Sequence, residues 1–268
     1  MEIFNAIILG IVQGITEFLP ISSSGHLILA RSLLGEKTIY ALSFDAVLQL
    51  ATTLAILFYF RKKISSLIKS FFLLLAGKLK NIAEKTLIFA IIIGTIPAAF
   101  FGVILERQMQ TNFRSPWVVV STLLLGSLLM FLAERHYKKS TNKNNISTLK
   151  GFWVGVFQAL ALLPGMSRSG MTISGGLFNS IKREEAIKFS FLLALPILFG
   201  SGLKKLFDLN SEGVLGSIGV ELFIGSIVSF FVGLLAIHFL ITYLKKHTLK
   251  VFVWYRIVLA IILIAILV

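Results

Sequence analysis

The chain has 268 residues, of which 56% are hydrophobic and only 14% are charged. Because a soluble domain carries about 25% charged residues, this composition excludes a water-exposed globular protein and indicates a lipid environment. The absence of cysteine excludes a disulfide framework and a thiol nucleophile. The net charge is +14, but the basic residues lie between apolar runs, a pattern that does not predict nucleic acid as a partner.

The first apolar region, residues 3–34, is interrupted at residues 17–26 by a stretch rich in serine, glycine and proline. Irregular backbone at membrane depth survives only where protein or a water-filled cavity satisfies it. An ionisable group inside a membrane costs roughly 2.5–3.5 kcal/mol and by default indicates function, so Glu17 and His26 are candidate site residues. Gln13 lies one helical turn before Glu17, and we expect both side chains to face the same site.

Three apolar stretches of about the length that a bilayer requires come next, and they cover residues 44–60, 86–105 and 117–133. The segments between the predicted spans alternate in charge. Seven basic residues lie in 61–85 and five in 135–150. The positive-inside rule places both of these segments in the cytoplasm. The segments 106–116 and 204–218 hold only two basic residues each and are therefore assigned to the outer side.

A second interrupted region, residues 151–181, has a loop of similar character that ends at Thr172 and contains Arg168. The guanidinium of arginine is a planar fork that matches phosphate oxygens. A Gly- and Ser-rich loop that enters a helix presents free backbone N–H groups and binds oxyanions. Hydroxyl donors for such an anion are available in both loops at Ser22, Ser23, Ser24, Ser167, Ser169 and Thr172.

Three further apolar stretches, residues 189–203, 220–244 and 251–268, complete the chain, with three basic residues in 245–250 that the same rule places in the cytoplasm. The first interrupted region must then enter and leave on the outer side, and the second on the inner side. We therefore expect an all-α polytopic membrane protein of six transmembrane helices and two re-entrant helix–loop–helix hairpins, arranged as an inverted-topology repeat.

A weak internal match supports two halves within a single membrane domain. At an offset of 145, residues 10–25 share five identities in sixteen positions with the second interrupted region. The predicted halves cover about 1–134 and 151–268, and a basic cytoplasmic linker, 135–150, joins them. Inverted repeats that meet at broken helices place the working site near the bilayer midplane, between the halves.

Structural explanations compete with these functional ones. Glu17 and Arg168 could form an ion pair that only ties the hairpins together, and backbone carbonyls at a helix start could satisfy His26. The serines could serve as N-caps or allow close helix packing, and Gln13 and Gln158 could form only interhelical hydrogen bonds. Some charged residues lie near span ends, where an interfacial position explains them, and these are Asp45, Glu221 and Arg256. The histidines that show no partner pattern are interpreted as non-catalytic, and these are His136, His238 and His247.

The two loops closely resemble the signatures of the undecaprenyl-pyrophosphate phosphatase family, which confers bacitracin resistance. The first signature reads Gln13-Gly-Ile-Thr-Glu-Phe-Leu-Pro-Ile-Ser-Ser-Ser-Gly-His26 and the second Pro164-Gly-Met-Ser-Arg-Ser-Gly-Met-Thr172. The resemblance implies a hydrolase that removes the terminal phosphate of a polyprenyl pyrophosphate lipid, so that the monophosphate carrier is recycled for peptidoglycan synthesis. It also implies a divalent cation, Mg or Ca, and a site open to the outer face of the bacterial plasma (inner) membrane.

By motif position, the family's functional roles fall on Glu17, Ser23, His26, Ser167, Arg168 and Thr172. The resemblance suggests that Glu17 holds the cation, where Gln13 replaces the glutamate of many members and weakens any two-carboxylate mechanism. Ser23 is then the expected nucleophile with His26 as acid or base, and direct attack by His26 or by water remains open. Arg168 would clamp the pyrophosphate together with hydroxyl groups from Ser22, Ser167, Ser169 and Thr172.

Two alternatives come from other functional classes. Inverted repeats with re-entrant hairpins are also a carrier architecture, so the same site could serve a prenyl-phosphate transporter or flippase. A non-catalytic membrane scaffold is the other alternative, but it has no use for costly polar loops in a membrane. The sequence leaves the oligomeric state open, with a homodimer as one option.

Overall fold

The computed structural model describes residues 2–36, 40–105, 108, 113, 115–213 and 215–267, which fold almost entirely into α-helices. In the first part of the chain, a helical hairpin is followed by four further helices. Their bounds are α1 Ile3–Phe18, α2 Ser23–Leu33, α3 Ala41–Tyr59, α4 Arg61–Leu75, α5 Ile82–Ile104 and α6 Pro116–Lys139. The second part has another hairpin followed by three helices, with bounds α7 Thr148–Leu160, α8 Arg168–Phe178, α9 Arg183–Ser211, α10 Leu215–Lys246 and α11 Lys250–Leu267.

Five helices among the described residues are long and apolar enough to cross a membrane: α3, α5, α6, α9 and, from Ile218 onward, α10. They overlap the first five predicted spans. The sixth predicted span, 251–268, falls on α11, which is not one of these five, and residue 268 lies outside the described part of the chain. The chain is therefore an all-helical, multi-pass membrane protein.

The connecting segment 61–85 contains a helix that the sequence did not predict. This helix, α4, begins with three basic residues and packs beside α5. Glu84, in the first turn of α5, accepts hydrogen bonds from Ser66 Oγ (2.7 Å) and Lys63 Nζ (3.3 Å) of α4 and from Ser70 Oγ. The segment is thus an ordered part of the fold as well as a run of positive charge.

Each hairpin packs mainly against the opposite part of the chain. Helix α1 lies against α10, and α7 lies against α5. Glycines make both contacts close: a Cβ atom added to Gly10 would lie 2.5 Å from the carbonyl oxygen of Gly225, and one added to Gly155 would lie 2.1 Å from that of Gly94. Because these neighbours are backbone atoms, only glycine allows the helices to approach so closely.

Large apolar side chains cover the outside of the molecule. Phe100 of α5, Phe223 of α10 and Trp254 of α11 are all more than half exposed. A surface of this kind is unfavourable in water but suits contact with lipid acyl chains. Several of the polar groups that the sequence singled out, among them Glu17, Ser22, Ser167 and Arg168, are largely buried where the two hairpins meet.

Candidate active site

The two hairpin loops end in the same local structure. Ser22 and Ser167 are the N-caps of α2 and α8, and both have a positive φ, 77° and 70°. Each side-chain oxygen accepts a hydrogen bond from a glycine N–H three residues later, Gly25 (3.4 Å) and Gly170 (3.2 Å). Non-glycine residues rarely adopt such a φ, so the shared geometry is a specific feature. The N-cap explanation is confirmed for these two serines, which also line the cavity described below.

The tips of the hairpins touch each other. The backbone N–H of Gly165 donates to Ser24 Oγ (3.3 Å), and Arg168 Nη2 donates to Glu17 Oε1 (3.0 Å). The Glu17 and Arg168 side chains are 2% and 11% exposed. The carboxylate and guanidinium that the sequence places in separate loops therefore form one buried ion pair.

Glu17 is the centre of a polar network. Besides Arg168, its carboxylate accepts hydrogen bonds at Oε2 from Gln13 Nε2 (3.0 Å), Ser23 Oγ (3.0 Å) and Gln49 Nε2 (3.2 Å). Gln13 and Glu17 do share one side of α1, as their spacing predicts. The Ser23 hydroxyl faces Glu17, so the carboxylate is the proton acceptor that lies beside it.

The residues of this network line a cavity of about 600 Å³. Its polar lining includes Gln13, Glu17, Ser22, Ser23, Gln49, Gln158, Ser167 and Arg168. The lining contributed by α5 and α9 is largely apolar, with Ala98, Val103 and Ile197, and it also includes two lysines of α9, Lys204 and Lys205. A cavity that combines an arginine, several hydroxyl groups and a largely apolar lining suits an amphiphile with an anionic headgroup.

Arg168 retains unused donors inside the cavity. Within the described part of the chain, its Nε and Nη1 atoms are buried and find no hydrogen-bond partner. A buried donor without a partner is costly, more so when it is charged. An oxyanion in the cavity would supply the missing acceptors, which argues against an ion pair that only ties the hairpins together.

Ser169 and Thr172, two predicted phosphate-binding residues, are fully buried and are not among the described residues that line the cavity. The Thr172 hydroxyl donates to the carbonyl oxygen of Arg168 (2.8 Å) in its own helix and lies 2.5 Å from Ser190 Oγ. Ser169 Oγ lies 3.3 Å from Ser167 Oγ. Because both hydroxyls belong to the packing of α8, their position does not match direct contact with a phosphate.

His26 also lies apart from the residues that line the cavity, as far as the chain is described. Its Nδ1 is 2.7 Å from the carbonyl oxygen of Ser22, and its Nε2 is 2.7 Å from the hydroxyl of Tyr255. A carbonyl only accepts, so Nδ1 carries a proton, and in the neutral imidazole Nε2 then accepts from the Tyr255 hydroxyl. The imidazole and the Tyr255 ring also stack, with 5.6 Å between ring centres. A backbone carbonyl therefore satisfies Nδ1 of His26, as one explanation predicted, but the partner of Nε2 is a tyrosine hydroxyl.

The side chains that line the cavity could hold a metal ion only with the help of a ligand that the protein does not supply. No group of three or more acidic or histidine side chains that could hold a metal occurs in the described ranges. Two carboxylates among the described residues line the cavity: Asp45, which is paired with Arg31, and Glu17, which lies beside the amides of Gln13 and Gln49 and the hydroxyl of Ser23. Mg²⁺ is often held by one carboxylate together with substrate phosphates and water, so these residues fit a cation that arrives with a phosphate ligand.

Comparison with known proteins shows the family of the chain. Residues 6–262 match the model of the bacitracin resistance protein BacA. The chain belongs to the BacA bacitracin resistance family. An undecaprenyl-diphosphatase 1 of Corynebacterium jeikeium is 41% identical over 269 residues, covering 100% of this chain and 95% of the relative. Undecaprenyl-diphosphatases of Mycolicibacterium smegmatis and Rubrobacter xylanophilus are 40% and 38% identical, over 100% and 97% of this chain and 97% and 96% of theirs.

In this BacA family member, Arg256 has a position that the sequence analysis interpreted wrongly. It was expected at a membrane interface, but its side chain is fully buried in α11. It donates to Ser127 Oγ (3.1 Å) and to the carbonyl oxygens of Leu123 (3.1 Å) and Gly165 (3.0 Å). Arg256 therefore holds the second hairpin loop against α6.

Two other residues near the site were also missed. Gln49 on α3 bonds to Glu17, and Tyr255 on α11 bonds to His26. Gln49 had two sequence signals, its presence in an apolar span and its place in the segment 44–50, which also resembles the family. Tyr255 had no signal, because a tyrosine is common near the ends of spans.

Proposed function

We propose that this protein is an undecaprenyl-diphosphatase, an enzyme that hydrolyses the terminal phosphate of undecaprenyl pyrophosphate to give undecaprenyl phosphate. The observation that carries the proposal is the buried pair of Glu17 and Arg168, which forms the polar end of an otherwise largely apolar cavity. The relatives of this chain that carry this enzyme name match it along its whole length. Recycling of the cell-wall lipid carrier in this way would account for bacitracin resistance.

Binding of the headgroup falls to Arg168. Its two unpartnered nitrogens provide charge-assisted hydrogen bonds to the diphosphate oxygens. Ser22 and Ser167 line the same end of the cavity and can donate hydroxyl hydrogen bonds. The prenyl chain follows the apolar wall of α5 and α9 toward the lipid.

The chemical step starts from the hydrogen bond between Ser23 and Glu17 (3.0 Å). Glu17 takes the Ser23 proton as the oxygen attacks the terminal phosphorus, and the bond from that phosphorus to the bridging oxygen breaks, releasing the prenyl monophosphate. Water then hydrolyses the phosphoserine to phosphate. Direct attack by His26 or by water is the alternative, and a phosphoenzyme trapped on Ser23, on His26 or on neither separates the three routes.

A divalent cation, Mg or Ca, is part of this proposal. Glu17, with the amides of Gln13 and Gln49 close by, would hold it together with the diphosphate. A cation there would neutralise charge that develops on the leaving phosphate. Chelation is then expected to abolish turnover, and added Mg²⁺ or Ca²⁺ to restore it.

We also infer the finer membrane arrangement: six spans, with α11 as the sixth, and two re-entrant hairpins, α1–α2 and α7–α8, in halves of opposite orientation. The crossed packing of α1 on α10 and α7 on α5 supports it. The cavity is lined by the carboxyl-terminal part of α5 and by Lys204 and Lys205, which the charge pattern assigns to the outer side. The site would thus face outward from the bacterial plasma membrane.

The test is phosphate release from a long-chain prenyl diphosphate by purified protein in detergent, with and without a chelator. We expect metal-dependent release by the natural protein and a loss of at least 100-fold in Arg168→Ala, because oxyanion-binding donors typically contribute that much. Detergent contains no compartments, so release there supports an enzyme and not a transporter alone. Absence of release by folded, metal-supplemented protein would contradict the proposal.

A further inference from the structure

Gln158 is a buried polar side chain that the described network leaves without a function. It lies in the last turn of α7, is 2% exposed and lines the same cavity as Glu17 and Arg168. Neither its Nε2 nor its Oε1 atom has a hydrogen-bond partner among the described residues. The interhelical hydrogen bond that was one explanation for Gln158 is thus absent among the described residues.

The internal repeat makes the contrast sharper. Gln158 occupies the position in the second hairpin that Gln13 occupies in the first, 145 residues earlier. Gln13 donates to Glu17 and is satisfied. The residue one turn after Gln158 is Leu162, which cannot serve as such an acceptor. The second glutamine has therefore lost the neighbour that would explain it as a structural residue.

A buried amide without partners destabilises a protein by about 1–3 kcal/mol, so its position beside a cavity calls for a ligand. That ligand must accept a hydrogen bond from Nε2 and donate one to Oε1. A phosphate group meets the first requirement through its oxygens, and a water or hydroxyl carried with it meets the second. Arg168 lines the same cavity, and its buried Nε and Nη1 atoms also lack acceptors among the described residues.

We propose that Gln158 is a further substrate-binding residue, whose amide donates a hydrogen bond to a diphosphate oxygen of the prenyl lipid beside Arg168. This inference rests on the proposed function. It gives the second hairpin two side chains on the headgroup, Arg168 as the charged ligand and Gln158 as a neutral one, while the first hairpin supplies the carboxylate and the serine hydroxyl.

The test uses Gln158→Leu, which has a side chain of similar size and removes the amide. A hydrogen bond to a charged group is worth enough to change binding about 10- to 100-fold. We therefore expect KM for a long-chain prenyl diphosphate to rise by about that factor in detergent. Because an unsatisfied polar group is removed, the melting temperature of the ligand-free variant should stay the same or increase.

Gln158→Glu provides a second measurement if the leucine variant does not fold. Its shape is almost unchanged, but a carboxylate beside the diphosphate repels it, so KM should rise at least as much. Ser174→Ala is the matched control: Ser174 Oγ is also buried and unpartnered but lies on α8 and is not among the residues that line the cavity. It should keep the natural KM.

The outcomes separate the two proposals. If the natural protein releases phosphate and either folded Gln158 variant keeps its KM, the role of Gln158 is wrong and the enzyme assignment stands. A rise in KM together with a lower melting temperature in both variants, with no rise in Ser174→Ala, would indicate a structural role and also overturn the inference. If the natural protein releases no phosphate, the proposed function itself fails.

Discussion

Glu17 accepts hydrogen bonds from four side chains, one each from α1, α2, α3 and α8. Its negative charge organises all of these donors, and in the proposed mechanism it also takes the proton of Ser23. Glu17→Gln keeps the size of the side chain and removes both functions. We expect kcat for phosphate release to fall by about 10²–10⁴-fold, the usual contribution of a general base.

Glu134→Gln is the control for that loss. Glu134 is also a buried carboxylate in an ion pair, with Arg183 at 2.5 and 2.7 Å, but it is not among the described residues that line the cavity. Both variants should lower thermal stability, because each leaves an arginine without its partner. Only Glu17→Gln should lower kcat in the protein that remains folded, and equal kcat in the two variants would refute the base role.

At the scale of helices, the close contact of α7 with α5 depends on glycine. In Gly155→Ala the new methyl group would lie 2.1 Å from a backbone oxygen of Gly94, so the two helices must separate. We expect a loss of about 1–3 kcal/mol in stability, the usual cost of overpacking, measured as a lower melting temperature in detergent. Because α7 carries the second loop, phosphate release should decline with it.

Gly219→Ala tests whether the effect comes from contact and not from helix propensity. Gly219 lies on α10, and an added Cβ atom would find nothing within 4 Å. Alanine is the better helix former by about 0.5–1 kcal/mol, so this variant should be neutral or slightly stabilised. A Gly155→Ala protein as stable as Gly219→Ala would show that the packing of α7 on α5 is looser than described.

Local patterns in the sequence were sufficient for much of the hairpin structure. Leu19 precedes Pro20 and is extended, which ends α1 as a residue before proline should. The serines at the two loop ends cap α2 and α8, as their type predicts. The loops are shorter than predicted, since Glu17 still belongs to α1 and His26 already belongs to α2.

What the sequence could not supply was contact between distant segments. Arg256 lies six residues after the start of α11 and was therefore interpreted as an interfacial residue. Its guanidinium instead donates to one hydroxyl and three carbonyl oxygens of α6 and the second loop, which are 91 to 134 residues away in the sequence. The same reason explains why Gln49 and Tyr255 were missed. Helix α4 was overlooked because its basic residues already had an explanation as topology signals.

For the molecule as a whole, the proposed inverted repeat has a numerical consequence. Gly10 and Gly155 are 145 positions apart, whereas Gly94 and Gly225, the glycines they contact, are 131 apart. The difference of 14 is close to the 15 residues of α4, for which the second half has no counterpart among its described helices. An insertion of α4 into one of two related halves accounts for both offsets.

Equivalent positions in the two halves should then lie on opposite sides of the membrane. Because the chain contains no cysteine, each single-cysteine variant reports one position to a membrane-impermeant maleimide. Ser32 and Lys182 are both exposed near the end of the second helix of a hairpin, α2 or α8. We expect Ser32→Cys to react in right-side-out spheroplasts, and Lys182→Cys to react only in inverted vesicles.

Two further positions fix the orientation independently of the hairpins. Glu212 and Asn142 are exposed residues of the segments after α9 and α6, which the charge pattern assigns to the outer and inner sides. The maleimide should therefore label Glu212→Cys from the same side as Ser32→Cys. It should label Asn142→Cys from the same side as Lys182→Cys. Labelling of Ser32→Cys and Lys182→Cys from the same side would mean that both hairpins enter from one leaflet. The contact between Glu17 and Arg168 could not then come from two halves of opposite orientation.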